Sequence, residues 1–217
     1  MKKLICLILS LALTLGLAFA MTACGDEEGN DNVDPVTKIC NIVGESAPTR
    51  IITQTDYVVN GIALGGEYIT EIEGNNSILT YSYEKMSDPM DGNSNPHTTV
   101  SGKIYYKDGR FSEDGITWKT GAPSTTPIIF NVSKDVFVNP VVSQDGYTLT
   151  AEITPEAALA AFGTDLAAEG NLVVEIVTDG TNLRDINISG TTAQGASVMV
   201  RTSYTYTAVT LEFPGAA

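Results

Sequence analysis

A strand signal and a helix signal stand side by side in the stretch YTLTAEITPEAALAAFG, residues 147–163. Apolar and polar residues alternate over its first seven positions, which predicts a strand with one buried and one wet face. Thr154 and the proline after it are typical of a helix start, and Gly163 is typical of a helix end. We expect Leu159 and Phe162, three residues apart, to press this helix onto the sheet.

The two-residue period recurs from Thr49 to the C terminus between turns rich in Gly, Asn and Asp. It predicts roughly nine to eleven strands in sequential hairpin order, the last being Val209–Phe213. A second short helix is predicted at Pro35–Val43, with Gly44 at its end. An antiparallel sheet of this length must curl, split or close. The predicted fold class is therefore α+β, mainly antiparallel β, with a strongly curved sheet covered by one or two short helices.

The first residues of the chain have the pattern of a signal peptide. Lys2 and Lys3 precede an almost wholly apolar run that is shorter than a comfortable membrane span. The sequence Met21-Thr22-Ala23-Cys24 resembles the lipobox of bacterial lipoproteins, which implies a diacylglyceryl group on the Cys24 sulfur, cleavage before Cys24 and acylation of its new amine. The alternative is ordinary cleavage after Ala18-Phe19-Ala20, which leaves Cys24 free to pair with Cys40.

The predicted domain organisation follows from cleavage before Cys24. Residues 1–23 form the signal peptide, residues 24–33 an acylated cysteine with an acidic flexible tether, and residues 34–217 a single β-rich domain. The whole chain has 12 basic and 26 acidic residues, a net charge of −14, and losing Lys2 and Lys3 makes it −16. Such a body is repelled by anionic headgroups and by phosphate backbones, so we expect the lipid to be the anchor and no nucleic acid to be a partner.

The strand order and texture of the body resemble the lipoprotein-carrier superfamily, which includes LolA, LolB and the LppX and LprG lipoproteins. The segments that resemble this superfamily are Ile78–Glu84, Val100–Gly109 and Ala161–Leu166. The resemblance implies a half-open barrel, in which helices close one side of a strongly curved antiparallel sheet around an apolar cavity. It carries over no catalytic residue.

The leading functional hypothesis is a monomeric lipoprotein on the extracytoplasmic face of the cell membrane that binds or carries a lipid or another apolar ligand. We expect eight apolar residues to form the wall and lid of its site: Leu79, Ile104, Tyr106, Trp118, Phe130, Leu149, Leu159 and Phe162. The alternative is a cell-surface recognition module for glycan or protein, in which aromatic side chains share an exposed strand face. The aromatic candidates are Tyr81, Tyr83, Tyr105, Tyr106, Trp118, Tyr204 and Tyr206.

No constellation in the sequence points to catalysis or to a cofactor. His97, the single histidine, follows Asn-Pro in a polar loop without a nucleophile motif, so we expect a solvated side chain and no enzyme activity. The pairs Glu71/Glu73 and Glu113/Asp114 have the spacing of surface carboxylates. The loop that contains Asp88, Asp91, Asn93 and Asn95 offers oxygen ligands but lacks the order of a calcium loop, which favours a plain loop and no metal.

Overall fold

The computed structural model describes residues 33–59, 61–87, 97–121, 132–163, 166 and 168–214. Two helices and eleven strands lie in these ranges. The helices are α1 (Pro35–Glu45) and α2 (Pro155–Phe162). The strands are β1 (Arg50–Val59), β2 (Ile62–Glu73), β3 (Asn76–Met86), β4 (His97–Lys107), β5 (Arg110–Ser112), β6 (Lys119–Thr120), β7 (Val138–Val142), β8 (Thr148–Ile153), β9 (Leu172–Thr178), β10 (Leu183–Thr191) and β11 (Ser197–Thr205). A short 3₁₀ turn, Lys134–Val136, precedes β7.

All the described strands belong to one antiparallel sheet in the order β6-β5-β4-β3-β2-β1-β11-β10-β9-β8-β7. The first and last strands pair at its centre, so β1–β6 form one meander outward and β7–β11 form another that returns. The edge strands β6 and β7 do not pair with each other, so the sheet is open. The prediction of a mainly antiparallel sheet with two short helices is confirmed.

Both predicted helices form, and their ends follow from local hydrogen bonds. The Thr154 hydroxyl accepts a hydrogen bond from the Ala157 amide at 3.2 Å, and Gly163 ends α2 in the left-handed region at φ 63°. Helix α1 runs through Gly44, which was predicted to end it, and stops at Glu45. The Ser46 hydroxyl ends it instead, since it donates to the Ile42 carbonyl at 2.6 Å.

The main core lies under the two helices on one half of the sheet. Leu149, Ile176 and Ile188 are almost completely buried there, together with Ile39 of α1 and Phe162 of α2. Helix α1 contacts β7, β8 and β9, and the core cluster contains no residue of β2–β6. The helices therefore cover the β7–β10 half of one face.

The predicted final strand, Val209–Phe213, is absent from the sheet, because the described ladder ends at Thr205 of β11. The segment after Thr205 instead turns towards the other meander. The Leu211 amide donates to the Glu73 carboxylate at 3.1 Å, and the Phe213 ring lies 6.1 Å from the ring of Trp118. Burial alternates along this segment: Val209, Leu211 and Phe213 are half-buried, and Thr210 and Glu212 are exposed. The two-residue period therefore reflects which side chains are packed, although the backbone pairs with no described strand.

Candidate functional site

The strand register divides the side chains between two faces of the sheet, because residues directly opposite each other in an antiparallel pair project to the same side. We call the side that carries α1 and α2 the helix face and the opposite side the carboxylate face. One unbroken row of paired residues on the helix face crosses eight strands, from the core to β4. Its members are Leu149, Ile176, Ile186, Thr202, Thr53, Tyr68, Tyr81 and Gly102.

The eight acidic side chains of the described strands all project to the carboxylate face. They are Asp56, Glu67, Glu71, Glu73, Glu84, Glu152, Glu175 and Asp185. Polar partners accompany several of them there. Gln54 donates to Glu67 at 3.1 Å, Asn187 to Glu175 at 3.0 Å and Ser203 to Asp185 at 2.6 Å. In the described strands, the helix face therefore contains no carboxylate.

Beyond the part that the helices cover, tyrosine rings occupy the helix face of β1–β3. We call Tyr57, Tyr68, Tyr81 and Tyr83 the tyrosine surface. The rings of Tyr68 and Tyr83 stack with centroids 6.2 Å apart and planes 14° apart, and Tyr81 lies 6.1 Å from Tyr83. All four side chains are half-buried. They form a continuous aromatic surface beside the aliphatic part of the sheet.

Two strand glycines allow these rings to lie close to the backbone. A Cβ atom on Gly102 would lie 2.8 Å from Cζ of Tyr81. One on Gly66 would lie 2.9 Å from Cβ of Tyr83 and 3.3 Å from the ring atom Cε2 of Tyr68. Each glycine thus leaves the space that a neighbouring ring fills. Glycine inside a strand often marks such a close approach, and this signal could have identified Tyr68, which the sequence analysis missed.

Burial raises the pKa of two phenols of this surface. It raises the pKa of Tyr68 to about 12, with further contributions from the nearby Tyr57 and Tyr83. Burial also raises the pKa of Tyr57, and the Glu84 carboxylate adds to that effect. The Tyr57 hydroxyl donates to the Glu84 backbone carbonyl at 2.9 Å. At physiological pH the phenols of Tyr57 and Tyr68 are therefore uncharged.

The structure describes seven of the eight predicted wall residues, and these lie in different environments. Leu79 and Ile104 form a cross-strand pair on the helix face, and Tyr106 follows on the same side of β4. Leu149 and Phe162 lie in the core under the helices, and Leu159 is half-buried on α2.

Of the remaining two wall candidates, Trp118 lies apart from the helix-face residues. Trp118 packs against Phe213, and the ring of Phe213 also lies 6.4 Å from that of Tyr105 on the carboxylate face. Phe130 lies outside the described residues. The structure thus brings Leu79, Ile104 and Tyr106 together near the tyrosine surface, and their contact with a ligand stays a prediction.

The aromatic candidates divide in the same way. Tyr81 and Tyr83 lie together on the helix face, whereas Tyr105 and Trp118 surround Phe213 on the other side of the sheet. Tyr204 is buried in the core. Tyr206 is half-buried, and its hydroxyl donates to the Leu183 carbonyl at 2.7 Å.

The sequence predicts a solvated side chain for His97, whereas the structure places it half-buried on the carboxylate face. Its Nδ1 lies 3.2 Å from Oε1 of Glu84. The other oxygen of Glu84 accepts a hydrogen bond from the Gly65 amide at 3.1 Å, just beyond the last β2–β3 pair, Gly66–Tyr83. Glu84 therefore replaces a ladder hydrogen bond where the strands separate.

A depression of about 340 Å³ lies beside this point of separation. Asp56, Val58, Ala63 and Met199 contribute to its lining from the carboxylate face, along with Glu84. It lies outside the space between the sheet and the helices, so it is a different feature from the apolar cavity that the resemblance implies.

Among the described residues, no group of three or more His, Cys, Asp or Glu side chains is arranged to hold a metal ion. The loop with Asp88, Asp91, Asn93 and Asn95 lies outside those residues. No helix in the described part of the chain is long and apolar enough to cross a membrane. Comparison with protein-family models and with curated proteins finds no match to the chain.

The packing at Gly66 leads to a first prediction. Gly66→Ala is expected to lower the free energy of unfolding by about 1–3 kcal/mol, because the added methyl group meets Cβ of Tyr83 at 2.9 Å and Oγ1 of Thr55 at 3.0 Å. Urea unfolding followed by circular dichroism measures the change.

Gly65→Ala is the matched control. Its Cβ atom would meet its nearest neighbour, the Thr55 carbonyl oxygen, at 3.4 Å, so we expect a smaller loss than for Gly66→Ala. Equal losses in the two variants would contradict the close packing of Tyr83 over Gly66.

Proposed function

We propose that this chain is a monomeric, non-catalytic lipoprotein that is held on the extracytoplasmic face of the cell membrane through Cys24. Its sheet binds a lipid or another apolar chain on the helix face of β1–β4. The part of the proposal that concerns the anchor rests on the lipobox-like sequence Met21–Cys24. The part that concerns the ligand rests on the geometry of the sheet.

One observation carries the ligand proposal: the row from Leu149 to Gly102 continues from the core onto the tyrosine surface without a charged residue. An apolar chain placed on the β1–β4 part of this face contacts aromatic and aliphatic groups and desolvates no carboxylate. Burial of each methylene group contributes about 0.8 kcal/mol, less the cost of ordering the chain. A ligand on the carboxylate face would instead displace water from carboxylates, which is costly.

We further propose that the sheet is strongly curved, as a half-open barrel with the helix face on its concave side. Two observations support this shape. Both helices lie on the same face, and the sheet has eleven described strands whose edges, β6 and β7, remain unpaired. Twisted open sheets of this size usually curl. Membership of the lipoprotein-carrier superfamily is part of the same proposal.

The ligand site is tested by adding a carboxylate to each face in turn. Thr70 and Thr80 are both half-buried threonines in the β2–β3 pair, but Thr70 lies on the helix face and Thr80 on the carboxylate face. We expect the wild-type protein and Thr80→Glu to retain a bound lipid after mild extraction from the membrane, and Thr70→Glu to lose most of it. Native mass spectrometry measures the bound mass, and circular dichroism verifies folding.

Two results would contradict the ligand proposal. One is a wild-type protein that carries no lipid, and the other is an equal loss of lipid from folded Thr70→Glu and Thr80→Glu. A glycan or protein recognition module is the second candidate, and the stack of Tyr68 on Tyr83 favours it because flat aromatic rings also bind sugar rings and peptide side chains. A lipid-free protein whose tyrosine fluorescence changes on titration with neutral oligosaccharides would support that candidate.

A further inference from the structure

The charge on the open part of the helix face is small and of one sign. In the described strands this face contains no carboxylate, and its cationic side chains on β1–β6 are Lys85 and Lys119. Lys85 follows Tyr81 and Tyr83 on the same side of β3, opposite Thr98 of β4. A cation, Lys85, therefore lies at one end of the tyrosine surface.

The two lysines differ in their partners. The ammonium group of Lys119 lies 3.8 Å from the Glu113 carboxylate and 5.6 Å from the ring centroid of Phe111. Lys85 is exposed and takes part in none of the ion pairs between described residues. Glu84, its neighbour in sequence, projects to the other face, where it binds the Gly65 amide and contacts His97. Among the described residues, no carboxylate therefore compensates the charge of Lys85 on the helix face.

We propose that the ligand is an anionic amphiphile whose headgroup pairs with Lys85 and whose acyl chain lies along the tyrosine surface. This inference rests on the proposed function. The strand from Lys85 to Leu79 spans about 20 Å, comparable to a long acyl chain. Tyr83 and Tyr81 lie between these two ends on the same face, and Leu79 at the far end is buried. The surface therefore matches a molecule with one charged end and one long apolar part.

The experiment compares two probes that share a chain length and differ in headgroup charge, palmitate and hexadecanol. The acylated full-length protein in mild detergent is equilibrated with an equimolar mixture, and native mass spectrometry counts the two adducts. We expect the palmitate adduct to exceed the hexadecanol adduct by about tenfold, which corresponds to about 1.4 kcal/mol of binding free energy. Lys85→Glu is expected to remove this preference, since it replaces an attraction by a repulsion.

Lys103→Glu is the matched control, because Lys103 is also an exposed lysine but lies on the carboxylate face of β4. It should keep the preference for palmitate. Equal amounts of the palmitate and hexadecanol adducts in the wild-type protein, or an equal effect of Lys85→Glu and Lys103→Glu, would contradict the pairing of an anionic headgroup with Lys85. Either result would still be consistent with an apolar ligand site. The absence of both adducts would contradict both the headgroup pairing and the proposed binding of an apolar ligand.

Discussion

Cys24→Ser is expected to move the protein from the membrane fraction to the soluble fraction and to remove all acyl mass from the mature chain. The reason is that the rest of the mature chain offers the membrane no electrostatic attraction. It has 26 acidic residues and, without Lys2 and Lys3, only ten basic ones. Two or more acyl chains suffice for stable anchoring, and anionic headgroups repel a body of this charge. We therefore expect release to be complete at any ionic strength.

Cys40→Ser is the control for this prediction, because Cys40 is a buried residue of α1 and lies outside the lipobox. Intact mass spectrometry and fractionation should show that it keeps the acyl mass and the membrane location. A wild-type chain that begins at Met21 without acyl groups would contradict the lipoprotein proposal and support the secreted alternative. Loss of acyl mass in both variants would also contradict a specific role for Cys24.

Leu149→Ala is expected to lower the free energy of unfolding by about 2–5 kcal/mol. Leu149 is completely buried, and it pairs with Ile176 on β9 in the core that α1 and α2 cover. Removing its side chain loses the transfer free energy of three carbons and leaves a cavity that rigid neighbours fill only in part. Chemical denaturation with a linear extrapolation measures the loss.

Val141→Ala is the control for the core prediction. Val141 lies on β7, next to the strand that holds Leu149, but its side chain is 66% exposed. We expect a change of less than about 0.5 kcal/mol there. A loss below about 1 kcal/mol in Leu149→Ala would contradict its place in the main core. The folded fraction of Leu149→Ala should still bind ligand, since the proposed ligand lies on β1–β4.

The helices and most of the strands could be predicted because their signals are local. The Thr154 cap, the proline after it and Gly163 act within a few residues of one another, and they define α2 in the structure as they do in the sequence. The end of α1 could not be predicted as well. Ser46 both caps Ile42 and accepts from the Leu183 amide at 2.9 Å, a partner 137 positions away. A single sequence contains no signal for that partner.

The segment Val209–Phe213 shows a second limit of predicting structure from the sequence: an alternating pattern does not establish that a strand forms. Its alternation is real, and its apolar side chains are half-buried as a strand's would be. Alternation reports which side chains are covered and does not report whether the backbone has a neighbouring strand. The Leu211 amide donates a hydrogen bond to the Glu73 carboxylate and not to the backbone of a strand, so the segment lies against the sheet without pairing with a strand.

The candidate site shows the same division between local and distant information. Sequence alone determined that Glu67, Glu71 and Glu73 project to one side of their strand, since they are separated by even numbers of positions. Only the tertiary structure decided that all eight strand carboxylates share one face and that Tyr68, Tyr81 and Tyr83 meet on the other. Strand register sets this outcome, because a shift by one residue exchanges the two faces. Register depends on pairings such as Thr53 with Thr202, which join distant parts of the chain.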